Sequence, residues 1–224
     1  MSGNGAELLV LGVDGLDYDT VLDLGPGLLP NLHPLVAASR PHDGCFPPDS
    51  VPSWTSIITG VPPEEHGQLH SVNFLLESGD SYEASVEHLR ETCFWEIGAA
   101  SQVAVINPFL AHPPWAPNGT GAMVSGPSFS EAPPTVVDPS GLLVGEPPDR
   151  MGGFSQIPRQ RDLEQFADET AAIAQAQYNY TLRQLEARRW DLLFHTNLTV
   201  DRIQHFAWRH FDRSDPTHPG TSLD

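Results

Sequence analysis

The run LLVLGVDG, Leu8 to Gly15, constrains this chain more than any other stretch. It is apolar without alternation and stops abruptly at Asp-Gly. A strand with one wet face alternates polar and apolar residues, whereas a strand buried on both faces of a parallel sheet does not. The same character returns in VAVINP, Val103 to Pro108, and in WDLLFHT, Trp190 to Thr196. Segments of helical spacing lie between these runs. Strands alternating with helices predict an α/β fold, three layers α/β/α around a mostly parallel sheet. With 224 residues and a hydrophobic fraction of 39%, the chain can build one such domain over residues 1–224.

The helical segments are uneven in strength. Leu32, Leu35 and Val36 predict a short helix within Pro30 to Ser39. Pro52 suits the first turn of a helix whose one face carries Trp54, Ile57 and Ile58 and which Gly60 stops. Leu89, Cys93 and Phe94 predict a helix over Val86 to Ala99. A long amphipathic helix is predicted over Arg161 to Arg189, and another in DRIQHFAWRHF from Asp201. Residues 108–160 hold most of the remaining prolines and glycines, with one short strand candidate at Met123. They read as a loop-rich insertion covering one end of the sheet.

Charge and cysteine content narrow the function classes. The chain carries 29 acidic residues against 11 basic ones, all of them Arg, for a net charge of -18. That balance excludes a broad nucleic-acid-binding surface. It fits a salt-rich cytoplasm, and a base composition that writes Arg for Lys accounts for it equally well. Cys45 and Cys93 lack CxxC spacing, which gives neither a disulfide framework nor a zinc knuckle. The opening MSGNGAE shows no secretory pattern, and no apolar run approaches the ~20 residues that span a bilayer. The expectation is a soluble cytoplasmic protein without a membrane partner, its oligomeric state unreadable.

Residues beyond the carboxyl ends of parallel strands are where ligands gather, which draws attention to Asp14. Asp followed by Gly is also a common turn, so a metal ligand and a turn residue both remain open. Asp201 and His205 are four apart and share one face of a helix, a spacing that suits two metal ligands or a surface pair. Ser50 stands just ahead of the Pro52 helix. It reads as a helix cap or, with the first-turn amides of Ser53 and Trp54 able to hold an anion, as a nucleophile activated by a metal.

Taken in order, LVLGVDGLD, PPDSVPSWTSIITGVPPEEHG and TVDRIQHFAWRHFD resemble the alkaline phosphatase superfamily, in particular its type I phosphodiesterase and nucleotide pyrophosphatase branch, which includes predicted phosphohydrolases and phosphomutases. FWEIGAASQVAVINP and NGTGAMVSG resemble the stretches between the catalytic motifs of those enzymes. The resemblance implies a metal-dependent hydrolase of phosphoric esters with a small phosphorylated substrate. It implies two divalent ions, zinc first with manganese as the alternative. Asp14 and Ser50 would hold one ion, Asp201 and His205 the other, and Ser50 would form a covalent phosphoseryl intermediate. The branch often has Thr at the nucleophile, and Ser keeps the hydroxyl. Nucleotide pyrophosphatases place an Asn shortly after it to bind a phosphoryl oxygen, where this chain has Ser53. The later ligands of the family, an Asp-His pair in an SDHG-like segment and a further His, have no counterpart here. The expectation is therefore the N-terminal part of a longer enzyme, truncated at its C-terminal side, with four of the ligand positions. His66 and His70, in HGQLH, are the candidate substitutes, and the resemblance gives His66 a structural place in the PEEHG turn. A phosphomutase, a sulfuric ester hydrolase and a non-catalytic fragment remain the alternatives.

Overall fold

The computed structural model describes residues 5–75, 77–89, 91–98, 100–126, 133–151 and 163–220. In chain order its elements are β1 (Gly5–Val13), α1 (Tyr18–Leu28), α2 (Leu32–Ala37), α3 (Ser50–Thr59), α4 (Pro63–His66), β2 (Val72–Phe74), β3 (Ser81–Glu83), β4 (Val103–Ile106), β5 (Ala122–Ser125), β6 (Thr135–Val137), α5 (Leu163–Ala187), β7 (Arg189–Asn197) and α6 (Thr199–Phe211). Three of the apolar runs become β1, β4 and β7. They lie in one five-stranded sheet of order β1-β7-β4-β5-β6, parallel except for the last pair. The fold is α/β with a mostly parallel sheet, as the strand pattern predicts.

Two apolar clusters occupy the two sheet faces. Val103, Val105 and Phe194 meet Trp54 and Ile58 of α3 on one side. Ala104, Ile106 and Leu193 meet Tyr180 of α5 on the other. Neighbouring strand residues fall in opposite clusters because successive side chains alternate across a strand. The chain thus buries β4 and β7 between α3 and α5, whereas β1 lies at the sheet edge with Leu8, Leu9 and Leu11 exposed, unlike the two-sided burial its apolar run predicts.

Several expected elements change on folding. The helix predicted over Val86 to Ala99 is replaced by two short 3-10 turns, Val86–His88 and Phe94–Glu96. Phe94 and Trp95 are adjacent in sequence, yet both rings lie against Phe194, at 5.8 and 5.3 Å between centroids. Glu96 meanwhile accepts hydrogen bonds from the Trp115 indole and the Asn118 amide. A continuous α-helix could not direct these three neighbours so. Within residues 108–160, β5 and β6 join the sheet as its fourth and fifth strands, so the described part of this region extends the sheet as well as looping over its end. Residues 127–132 and 152–162 lie outside the described residues, as does the start of the helix predicted from Arg161.

Candidate active site

The carboxyl ends of β1 and β7 form one rim, held together by backbone hydrogen bonds. The Asp14 amide donates to the Asn197 carbonyl at 2.9 Å, and the Asp14 carbonyl accepts from the Asp201 amide at 3.1 Å. The second bond satisfies an amide in the first turn of α6 that has no partner within its own helix. Asn197 adds a side-chain cap, its Oδ1 accepting from the Thr199 amide at 3.1 Å. The loop after β1 and the start of α6 are therefore tied to each other.

Gly15 makes that junction possible. Its φ is +74°, and a Cβ built there would lie 2.7 Å from both Asp201 Cα and Gln204 Oε1. Only glycine allows this conformation and this approach without displacement. Gly12 has a related role on the other face, where a Cβ would overlap the Trp54 ring. Trp54 thus lies directly on β1, and α3 is seated against the rim.

That seating brings Ser50 to Asp14. Ser50 is the first residue of α3, with Asp49 as N-cap. Its Oγ donates to Asp14 Oδ2 at 3.1 Å and lies 3.3 Å from Oδ1. The Asp14 carboxylate also accepts from the Trp54 side chain and the Gly15 amide. Burial raises the Asp14 pKa above the ordinary carboxylate value, and the nearby negative charge of Asp201 adds to this, while the three hydrogen bonds pull the other way.

Asp201 and His205 meet as the i, i+4 spacing predicts, with His205 Nε2 3.3 Å from Asp201 Oδ2. The His205 side chain is 66% exposed and Asp201 29%, so the imidazole stands on the solvent side of the pair. The structure therefore brings Asp14, Ser50, Asp201 and His205 to one rim in two bonded pairs, joined through the Asp14–Asp201 backbone contact.

The first-turn amides of α3 differ from the expectation of an open anion cradle. The Val51 amide donates to Asp49 Oδ1 at 2.9 Å, Pro52 has none to offer, and the Ser53 amide donates to the Asp49 carbonyl at 3.1 Å. The Asp49 carboxylate thus occupies the position an anion would take. Ser53 Oγ is 3.2 Å from Cys45 Sγ.

His66 is fully buried and holds a turn together. Its Nδ1 accepts from the Gln68 amide at 3.1 Å, which leaves Nε2 to donate to Ser56 Oγ at 3.0 Å. Burial lowers its pKa, consistent with a neutral ring. His70 points elsewhere, with Nδ1 3.0 Å from Ser71 Oγ. The two imidazoles of HGQLH do not converge.

The donor chemistry at the rim, two carboxylates, a hydroxyl and an imidazole, suits a divalent cation. The Asp201 charge that raises the Asp14 pKa would be offset by a cation placed between the two carboxylates. Among the described residues, however, no group of three or more His, Cys, Asp or Glu side chains is arranged to hold a metal ion. The four residues fit one side of a metal site.

Trp54 and Gly15 are the functional neighbours that sequence reasoning assigned otherwise. Trp54 reads as a core residue of α3, and its indole both packs on Gly12 and bonds Asp14. A Trp four residues after a candidate nucleophile is one helical turn away from it, which is the only signal in the sequence.

A mostly parallel sheet that carries Asp14, Ser50, Asp201 and His205 at one carboxyl rim defines an α/β protein with a candidate ligand site at that rim. The chain belongs to the type I phosphodiesterase / nucleotide pyrophosphatase family, whose model matches residues 8–219. It is similar in fold to phosphonoacetate hydrolase from Sinorhizobium meliloti 1021, solved in complex with phosphonoacetate, at a TM-score of 0.51 and 18% identity. That match covers 89% of this chain and 48% of the hydrolase, so the chain spans about half the length of that relative. No curated protein matches it.

Proposed function

We propose that this chain carries the nucleophile half of a metal-dependent phosphoric ester hydrolase, with Ser50 as the catalytic residue. The observation that supports it most is the hydrogen bond from Ser50 Oγ to Asp14 at a rim shared with Asp201 and His205. Family membership over residues 8–219 supports the same reaction class.

In this reading Asp14 and Ser50 hold one divalent ion, and Asp201 and His205 a second. Zinc is the first choice and manganese the alternative. Bound there, the ions supply positive charge that offsets the phosphoryl oxygens in a strongly acidic protein. Ser50 loses its proton along the hydrogen bond it makes to Asp14, and its oxygen attacks phosphorus opposite the leaving group. The new Oγ–P bond forms as the P–O bond of the ester breaks, and the released alcohol takes up a proton. Water then cleaves the phosphoseryl bond, returning the Ser50 hydroxyl and inorganic or singly esterified phosphate. The Trp54 indole keeps the Asp14 carboxylate oriented throughout, and Gly15 keeps Asp201 beside it.

The substrate is a small phosphorylated molecule. Ser53, whose hydroxyl lies 3.2 Å from Cys45 Sγ, is the substrate contact in this reading. No helix among the described residues is long and apolar enough to cross a membrane. Cys45 and Cys93 are both free thiols, in keeping with a cytoplasmic location.

A second reading, a non-catalytic scaffold that keeps this rim, is favoured by one observation: no complete metal-binding group occurs among the described residues. Hydrolysis of bis-p-nitrophenyl phosphate by the full protein, stopped by chelator and by Ser50→Ala, separates the two. Mass spectrometry of the acid-quenched reaction should find phosphate on the peptide containing Ser50. Unchanged hydrolysis in Ser50→Ala removes it as nucleophile, and absence of hydrolysis with added zinc or manganese favours the scaffold.

A further inference from the structure

A cavity of about 600 Å³ adjoins the candidate nucleophile. Its wall includes Val51, the residue after Ser50, and Leu110 and His112 from the loop that follows β4, so it opens at the carboxyl side of the sheet. The β2–β3 hairpin supplies another part of the wall. Val72 and Glu83 pair across that hairpin and share one face, while Asn73 and Tyr82 share the other. Asn73 is buried and anchors the hairpin, its Oδ1 accepting from the Leu69 and His70 amides at 2.9 and 3.1 Å. The Val72 and Glu83 face is therefore left for the cavity, which both residues line. Glu87 and His88 come from the 3-10 turn Val86–His88, fixed by Ser85 Oγ accepting from the Glu87 amide at 3.2 Å and by the His88 carbonyl accepting from Gln68 Nε2 at 3.0 Å.

The charge of this wall is one-sided. Among its described residues are two carboxylates, Glu83 and Glu87, and no Arg, and the chain has no Lys. Neither carboxylate is in an ion pair with a described residue. His112 adds an Nδ1 that is shielded from solvent and bonds no described residue. Val51, Val72 and Leu110 make the remaining surface apolar. Such a wall repels a further phosphate group and attracts a cation that itself carries apolar surface.

We propose that this cavity binds an ester arm of the substrate and that the arm ends in an alkylammonium group, which makes the substrate class the phosphoric diesters of small amino alcohols. The assignment rests on Ser50 as nucleophile for the place of the phosphoryl group. The arm that leaves phosphorus on the Val51 side enters the cavity, where its ammonium group meets Glu83 and Glu87 and its alkyl carbons meet Val72 and Leu110. The same two carboxylates disfavour an arm that bears additional phosphates.

Titration calorimetry on the full Ser50→Ala protein with added zinc tests this without turnover. The probes are the p-nitrophenyl phosphodiester of trimethylammonioethanol and that of its uncharged carbon isostere, which differ in charge alone. The cationic diester is expected to bind roughly tenfold tighter. Equal affinity, or binding of neither diester, overturns the proposal. Adding Glu83→Gln and Glu87→Gln should bring the ratio to about one by weakening the cationic diester, and a retained preference overturns the assignment to these carboxylates. With both glutamates in place, the preference should also shrink about threefold between roughly 50 and 500 mM sodium chloride as screening grows. A preference that salt does not change overturns it too. If the binding preference holds but the wild type hydrolyses neither diester, Ser50 falls as nucleophile and the cavity assignment stands, so the two failures are told apart.

Discussion

Ser50 Oγ and Asp14 Oδ2 are 3.1 Å apart, although 36 positions separate the two residues in the chain. The contact exists because Trp54 lies on Gly12 and draws the start of α3 to the end of β1. Under the proposed chemistry, Ser50→Ala lowers kcat by about three orders of magnitude or more, while Ser50→Thr retains measurable turnover. Loss of the hydrogen bond to a carboxylate should also cost about 1.5 kcal/mol in urea unfolding. Steady-state kinetics on bis-p-nitrophenyl phosphate and a denaturation curve read the two effects separately.

Gly15→Ala is expected to damage the rim without touching a catalytic group. The substitution forces a Cβ to within 2.7 Å of Asp201 Cα at a φ of +74°. A non-glycine residue in that conformation costs about 1–3 kcal/mol, and relief requires α6 to move away from β1. The expected result is a lower urea midpoint together with loss of activity, because Asp201 and His205 move with α6. Full activity at normal stability would show that the junction tolerates a side chain.

Asp14→Asn should separate stability from function. The folded pKa of Asp14 is raised, so its contribution to stability is fully present below the unfolded value of about 3.9 and is lost as pH rises through the folded value. At neutral pH without metal, the ionised carboxylate therefore opposes folding. Asn can still accept from Trp54 and Gly15 and carries no charge. The melting temperature in chelator at pH 7 is expected to rise, and hydrolysis to disappear. A lower melting temperature would mean that the carboxylate's hydrogen bonds outweigh its burial.

The parts of this fold legible in the sequence are those where one physical signal dominates. β4 and β7 are continuous apolar runs because both faces of a parallel strand are buried, while β1 has the same kind of run at the sheet edge with three leucines exposed, and Asp14 stands out because it ends that run. The segment from Val86 to Ala99 misleads because Leu89, Cys93 and Phe94 have helical spacing by coincidence, while long-range contacts of Phe94, Trp95 and Glu96 decide the backbone. α1 leaves no readable stripe, since it buries a single residue and breaks its helical dihedrals at Gly25. The pairing of Ser50 with Asp14 has no local signature at all. It depends on tertiary packing through Trp54, and only the resemblance of ordered motifs brings the two residues together before folding.

Trp54→Phe isolates the indole's role at the rim. Phenylalanine can still cover Gly12 but cannot donate to Asp14, which would then keep only the bonds from Ser50 and Gly15. Removing a bond that lowers the Asp14 pKa moves it further up, so the acid limb of the pH–rate profile should shift to higher pH. A loss of about 1.5 kcal/mol of orientation corresponds to roughly tenfold in kcat/KM. An unshifted acid limb with normal kcat/KM would confine Trp54 to packing.

His195 gives the fold an acid-sensitive point away from the rim. It is fully buried on β7, with Nδ1 2.9 Å from Thr181 Oγ1 of α5 and its ring 5.3 Å from Tyr178. Burial pushes its pKa down from 6.5 to about 4. An unfolded chain therefore takes up a proton near pH 6.5 that the folded chain refuses until about pH 4. The stability His195 contributes is complete above pH 6.5 and is lost as pH falls through that window, by about 3 kcal/mol across it. Asp14 works in the opposite sense, so the effect is read as the difference between the wild type and His195→Gln, in which the Asp14 contribution cancels. Gln can still bond Thr181 but does not titrate. The two urea midpoints are expected to converge as pH is lowered from 6.5 to 4, with the wild type losing more, and parallel curves would remove His195 as a source of acid lability.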